Sequence, residues 1–124
     1  MSKQVWNTLD IVPLSKIVKA NGFLFLSGDA SIDWKTRDFV PGDVGEQTRQ
    51  TLQNLKDSLE SVGSSMDKVV KTTVFLTEVQ RDFAAMNAVY KEFFPVDPPA
   101  RSTFGVYGLA RPELIVEIEL IALP

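Results

Sequence analysis

The stretch PPARSTFGVYGLARPELIVEIELIAL, residues 98–123, decides the fold. Two runs in it, residues 101–107 and 113–123, have the alternation and the β-branched content of strands, and a break containing Gly and Pro separates them. Because the connection is short, the two strands are expected to be antiparallel neighbours. A turn at the middle of the break would place Arg101 directly opposite Glu117 on one face, although a slip of one residue would separate them.

The second of these strands has two different faces. One face is apolar: Val116, Ile118 and Leu120. The other face mixes apolar and acidic residues: Ile115, Glu117, Glu119 and Ile121. Such a mixture is typical of an edge strand that carries charge to resist aggregation. It is equally typical of a face covered by another subunit, where Glu117 and Arg101 would be partly buried and would have to pair or act.

Composition narrows the classes of function. With 124 residues, 44% of them hydrophobic and 23% charged, the chain has the size and composition of one globular domain, residues 1–124. The net charge of −3 offers no attraction to nucleic acid or to an anionic membrane, so neither is expected as a partner. The sequence has no Cys and no His, which removes thiolate nucleophiles, the commonest general base and the commonest metal ligand. No metal is expected, and chemistry must come from carboxylates, Arg, Lys, Tyr, hydroxyls and backbone groups.

The beginning of the sequence has no apolar signal segment, and no run approaches the length needed to span a membrane. These features predict a cytoplasmic protein.

The rest of the chain alternates between strands and helices. Asn21 and Gly22 form a tight-turn signal within a hairpin of residues 15–27, and a short strand is expected before it. Asp43 and Glu46 have the spacing of a capping box at the start of a helix. The further predicted elements are a loop at 33–42, a helix at 43–62, a strand at 68–77 and a second helix at about 82–94.

This order predicts an α+β sandwich, a mostly antiparallel sheet of about five or six strands with two helices on one face. The other face would then be bare. It would carry Phe23, Phe25 and Ile115, which is more apolar area than an exposed surface tolerates. We therefore expect a dimer or closed ring of identical chains to cover it.

Four polar side chains are candidates for chemistry. Arg101 follows a rigid Pro-Pro-Ala segment and offers a planar fork for a carboxylate, or else forms a structural salt bridge with Glu117. Glu117 would polarise a water molecule if burial raised its pKa. Asn87 interrupts the apolar stripe of the second helix and must hydrogen-bond either to loop backbone or to a ligand. Ser27 ends a strand and serves either the turn or a ligand.

Five segments carry a resemblance to a known family: VKTTVFL at 70–76, MNAVY at 86–90, FFP at 93–95, PARS at 99–102 and VEIE at 116–119. In combination they resemble the Rid family of reactive intermediate (enamine/imine) deaminases, also called YjgF and, in older usage, L-PSP endoribonucleases. The resemblance implies a chorismate-mutase-like fold and a homotrimer whose sheets form a central barrel. It places the sites in the clefts between subunits.

The same resemblance implies an activity and roles for residues. The family's deaminases hydrolyse enamines and imines released by pyridoxal-phosphate enzymes, giving 2-oxo acids and ammonia without a cofactor of their own. The family's carboxylate-binding Arg falls on Arg101, and the carboxylate that positions water falls on Glu117. The Ser and Asn of the family's site fall on Ser27 and Asn87.

Two positions depart from the family's pattern. Leu14 stands where the archetypal deaminases carry a Tyr that walls the substrate pocket, and Thr103 stands at a substrate-binding position that is often Cys. The departures leave open a different imine or enamine substrate. Two other functions also stay open: ribonuclease activity, which the older family name suggests, and a non-catalytic module that holds a small carboxylate metabolite or acts like a chaperone.

Overall fold

The computed structural model describes residues 2–124, which form a six-stranded sheet, a two-stranded ribbon and two long helices. The strands in chain order are β1 (Gln4–Thr8), β2 (Ser15–Ala20), β3 (Phe23–Asp29), β4 (Ile32–Asp33), β5 (Asp38–Phe39), β6 (Val69–Leu76), β7 (Ala100–Gly105) and β8 (Val116–Ala122). The helices are α1 (Val44–Ser61) and α2 (Val79–Phe93), and a 3-10 turn, Met66–Lys68, precedes β6. Neither long helix combines the length and apolarity needed to cross a bilayer.

The main sheet has the strand order β1-β2-β3-β8-β6-β7, in which every pair is antiparallel except β6 and β7. The mostly antiparallel α+β fold is thus confirmed, but the predicted hairpin of the last two strands is wrong. Helix α2 returns the chain so that β7 lies parallel to β6, as a helical crossover permits. The connection 106–115 then passes β6 and delivers β8 to its other side.

The local signals in the sequence hold well elsewhere. The β2–β3 hairpin turns at Asn21 and Gly22, whose positive φ angles of 52° and 81° suit a tight hairpin turn. Asp43 caps α1, and its side chain and that of Glu46 complete the predicted capping box. Helix α2 begins at Val79, somewhat before the predicted start.

The predicted loop at 33–42 is wrong in part, because its first residue, Asp33, and the residues Asp38–Phe39 belong to the β4–β5 ribbon. Ile32 and Phe39 pair there and pack with Ala30 and Leu114 in a small apolar cluster. Burial of these side chains gives the segment an order that its polar composition does not indicate.

Both helices pack on one face of the sheet, as predicted. Helix α1 contacts β3 and β8, and α2 contacts β6 and β7. Alternate strand residues beneath them are buried: Leu24, Leu26, Val74, Val116 and Ile118. On the open face, Phe23 and Phe25 remain 38% and 42% exposed, so the part of the chain that the structure describes leaves this face uncovered.

Asn54 of α1 connects the helix to the segment that follows β3. Its side-chain nitrogen donates to the carbonyl oxygens of Ala30 at 3.0 Å and Ile32 at 2.8 Å, and reaches Oδ1 of Asp29 at 3.3 Å. Because Asn54 is buried, loss of its amide would remove one donor from each of these acceptors at a place that water does not reach.

We expect Asn54→Ala to lower the free energy of unfolding by about 2–3 kcal/mol, because it removes several buried hydrogen bonds at once. The neighbouring variant Gln53→Ala is a matched control, because Gln53 is exposed and bonds only to Asp57 on the same helix. Urea unfolding at one protein concentration measures both. If Asn54→Ala costs no more than the control, other contacts hold the segment after β3.

Candidate functional site

Arg101 lies on the edge strand β7, on the side of the sheet that the helices cover. Its partner in the β6 register is Thr72, which is buried beneath α2. The guanidinium carbon lies 4.7 Å from the centre of the Tyr90 ring and 5.7 Å from the centre of the Phe83 ring. Both rings belong to α2 and position the guanidinium by cation–π attraction.

Tyr90 links this arrangement to the sheet. Its hydroxyl shares a hydrogen bond of 2.7 Å with Oγ1 of Thr72. Burial raises the pKa of Tyr90, while the bond to Thr72 and the charge of Arg101 lower it in part. The ring is therefore fixed in place as a neutral platform for Arg101.

Asn87 and Thr103 lie on the same side of the sheet as Arg101. Asn87 is one helical turn before Tyr90 on α2, and Thr103 is paired with Val74, a buried residue of the helix-covered face. The side-chain oxygen of Asn87 is shielded from solvent and has no hydrogen-bond partner within residues 2–124. Burial of an unpaired oxygen is costly, so a small movement of the side chain that let it accept from an N–H group of a ligand or of another chain would be favourable.

Glu117 lies on the open face, where β8 sets it opposite Phe75 of β6. It also contacts Gly28 of β3: a Cβ atom added to Gly28 would stand 2.9 Å from the carboxyl carbon of Glu117. Burial raises the pKa of Glu117, and the negative charges of Glu119 and Asp29 raise it further. Burial thus acts in the direction that a water-polarising carboxylate requires.

Ser27 immediately precedes Gly28, and its hydroxyl donates to the carbonyl oxygen of Ser15 at 2.7 Å. Since that bond uses the only hydrogen of the hydroxyl, its oxygen remains free to accept a hydrogen bond from a ligand. Leu14, at the position where the resemblance implies a Tyr, is half-buried and directly precedes Ser15. It therefore lies close to Ser27, which is hydrogen-bonded to Ser15.

The candidate residues form two groups on opposite faces of the sheet. Arg101, Asn87 and Thr103 belong to the α2 side, whereas Glu117 lies on the open face and Ser27 is next to its neighbour Gly28. The predicted juxtaposition of Arg101 and Glu117 is wrong within one chain, because β6 separates β7 from β8. Neither residue has an ion-pair partner within residues 2–124. The structural salt bridge between them is therefore absent from the single chain.

A further charged group, around Asp29, was missed from the sequence. The Nζ atom of Lys16 lies 3.6 Å from Oδ2 of Asp29 and 3.7 Å from the centre of the Trp34 ring. Burial lowers the pKa of Lys16, although Asp29 raises it in part. A Lys within a strand and an Asp at a strand end are common, so nothing in the sequence signalled the pair. In the described residues, no group of three or more acidic side chains is placed to hold a metal ion.

The comparisons with known proteins agree with this architecture. The model of the family described as endoribonuclease L-PSP matches residues 7–124. The chain belongs to this family. A RutC family protein of Pyrococcus horikoshii is 46% identical over 112 residues, which cover 90% of this chain and 87% of that protein. The chloroplastic Reactive Intermediate Deaminase A of Arabidopsis thaliana is 41% identical over 110 residues, covering 89% of this chain and 58% of that protein.

Among solved structures, the Rid family protein YyfA of Yersinia pestis superposes with a TM-score of 0.91 at 37% identity, covering 99% of this chain and 100% of that chain. The resemblance to the Rid family and its fold is thereby confirmed. The names within the L-PSP family divide between endoribonuclease and reactive intermediate deaminase. The choice between these activities depends on the site.

We expect Gly28→Ala to move the Glu117 carboxylate and to leave the fold intact. Carbon atoms in contact stay about 3.5–4.0 Å apart, so the added methyl group would displace the carboxylate by about an ångström. Gly108→Ala is the matched control, since a Cβ there meets no atom within 4 Å. Crystal structures and thermal midpoints of both variants measure the effect. An unmoved Glu117 with a shifted β3 would contradict this expectation.

Proposed function

We propose that the protein is a cofactor-free hydrolytic deaminase that converts reactive enamine or imine intermediates into 2-oxo acids and ammonia. The observation that carries the proposal is that the two residue groups together offer what imine hydrolysis requires: binding groups on the α2 side and a base on the open face. A 2-imino acid has a carboxylate to be bound, a nitrogen that bears N–H groups, and an electrophilic carbon that requires a positioned water.

The α2 side supplies binding groups for such a substrate. Arg101 has no acidic partner in the described chain, and its planar fork matches a carboxylate. The two aromatic rings of α2 restrict the guanidinium and so reduce the entropy lost on binding. The unpaired oxygen of Asn87 suits the N–H group of an imine, and Thr103 adds a hydroxyl on the same side.

The open face supplies the group that activates water. A carboxylate with a raised pKa is a stronger base than an exposed one, and Glu117 meets this condition. Glu117 accepts a proton from water as the water oxygen bonds to the imine carbon. The proton then passes to the nitrogen and gives a tetrahedral aminoalcohol. Glu117 next transfers the hydroxyl proton of this intermediate to the nitrogen, the C–N bond breaks as the C=O bond forms, and ammonia leaves with a 2-oxo acid as the other product. The oxygen of Ser27 remains able to orient the water or the nitrogen.

A complete site requires that Arg101 of one chain meets Glu117 of another, because the two groups lie on opposite faces. The open face also needs a cover, since Phe23 and Phe25 are too exposed for a stable surface. A homotrimer with its sheets turned inward and with clefts between subunits satisfies both needs, as a closed symmetric ring does.

Ribonuclease activity finds no support in the arrangement. The net charge of −3 does not attract RNA, and the chain has no His. Cleavage of a phosphodiester needs a general base and a general acid together, and the candidate groups beside Arg101 include no such pair. A module that only holds a carboxylate metabolite remains the outcome if the site binds without turnover.

One assay tests the proposed function. A pyridoxal-phosphate dehydratase generates 2-iminobutyrate or iminopropionate, and release of the 2-oxo acid is followed with and without this protein. We expect faster release, and we expect the same preparation to leave single-stranded RNA intact. An unchanged release rate, or RNA cleavage that disappears in Arg101→Lys, would contradict the proposal.

Substitution of Arg101 separates binding from structure. Arg101→Lys should keep the fold, because a lysine ammonium keeps a cation beside the rings of Tyr90 and Phe83, but should lose on the order of 30- to 1,000-fold in rate. This corresponds to the ~2–4 kcal/mol of a charged, bidentate contact that an ammonium cannot reproduce. Imine hydrolysis and thermal midpoints are measured on the same preparations. A fully active but less stable Arg101→Ala variant would show that the residue is structural.

Mixed assemblies test whether the site is shared between chains. Arg101→Lys and Glu117→Gln chains, each inactive alone, should recover about a quarter of the wild-type activity when refolded together, because each mixed trimer contains one intact site. Each variant refolded alone is the control, and sedimentation measures the assembly state. A lack of recovery from confirmed mixed trimers, or a monomer at micromolar concentration, would refute the shared site.

A further inference from the structure

Asp29 is one of the most firmly held side chains in the protein. It is 2% exposed, and its Oδ1 atom accepts hydrogen bonds from the backbone N–H of Ala30 at 2.9 Å, from Nε1 of Trp34 at 2.9 Å and from Nδ2 of Asn54 at 3.3 Å. The other oxygen, Oδ2, lies 3.6 Å from Nζ of Lys16. Groups from β2, from the segment after β4 and from α1 thus converge on one carboxylate at the end of β3.

This carboxylate is next to the backbone that contacts Glu117. The register between β3 and β8 shifts between Leu26 and Asp29, so a β-bulge lies at this point. Gly28 is within the bulge, and only its missing side chain allows the Glu117 carboxylate to come so close. Because Asp29 is fixed by three donors and a cation, it fixes one end of the bulge.

We propose that Asp29 is a positioning residue for Glu117, with Lys16 as its charge partner, and that the pair fixes both the bulge at Gly28 and the electrostatic environment of the Glu117 carboxylate. The inference rests on the proposed function only in giving Glu117 a catalytic role. A purely structural Asp29, buried and hydrogen-bonded, would hold the bulge without any effect on the Glu117 carboxylate.

The charges around Glu117 give this pair a defined effect. Glu119 on the same strand and Asp29 on β3 are like charges, and both raise the pKa of Glu117. On β6 the residue opposite Glu117 is Phe75, and Lys71 lies further along the strand, opposite Ile121. Lys16 on β2 offsets the charge of Asp29. Removal of Asp29's charge should therefore lower the pKa of Glu117, and removal of Lys16's charge should raise it.

The test is a carboxyl-carbon NMR titration of Glu117 in the native assembly without substrate. Asp29→Asn keeps the size of the side chain and removes its charge, and Lys16→Met removes the ammonium over Trp34 but keeps an unbranched side chain beside the ring. Asp67→Asn is the matched control, since Asp67 is an exposed acid at the far end of the sheet. We expect a lower Glu117 pKa in Asp29→Asn, a higher one in Lys16→Met and no change in the control.

Each outcome decides a part of the proposal. An unchanged Glu117 pKa in folded Asp29→Asn overturns it, and an unchanged value in Lys16→Met alone overturns the role of Lys16. If Asp29→Asn does not fold, the Glu117 pKa in Lys16→Met decides: a raised value supports the proposal and an unchanged value overturns it. The acidic limb of the imine hydrolysis profile should move with the NMR value. If the NMR shifts occur without any hydrolysis, the proposed function fails and this inference stands.

Discussion

The register of β8 between β3 and β6 decides on which side of the sheet each functional side chain lies. Val116, Ile118 and Leu120 are buried against the helices, and each such burial contributes roughly 1.5–3 kcal/mol. A slip of one residue would expose all three and would force Glu117 and Glu119 into the apolar core. The core therefore holds Glu117 on the open face, beside Gly28, although none of the three apolar residues contributes to its chemistry.

The same register separates Glu117 from Arg101. Strand β6 stands between their strands, and Arg101 faces α2 through its pairing with Thr72. In the function that we propose, a single chain thus has a substrate-binding side and a water-activating side that do not meet. It also exposes an apolar face that favours association. In the arrangement that we propose, the burial that drives assembly also brings the two sides of the site together, so a monomer would be both unstable at its surface and inactive.

Local signals in the sequence predicted most elements but not how the strands pair. Alternation, the Asn21–Gly22 turn and the Asp43 cap depend on neighbouring residues, and all three hold. The pairing of the last two strands depends on whether the connection 106–115 turns back or crosses β6, and no local pattern distinguishes these paths. Arg101 and Glu117 were recognised as residue types, whereas their placement on opposite faces follows from strand order alone. The contacts of Asp29 escaped prediction because Asn54 and Lys16 reach it from other elements.

This chain has neither His nor Cys, and the base of the proposed reaction is a carboxylate, whose ordinary pKa lies well below neutrality. Three effects raise the pKa of Glu117: burial, Glu119 and Asp29. Since the folded-state pKa is above the unfolded value, the stabilising contribution of Glu117 is fully present below the unfolded pKa and is lost as the pH rises through the folded one. Wherever Glu117 is ionised, the fold therefore bears a destabilised carboxylate on the open face of the sheet. Such a cost is expected where a side chain is held for reactivity rather than for stability.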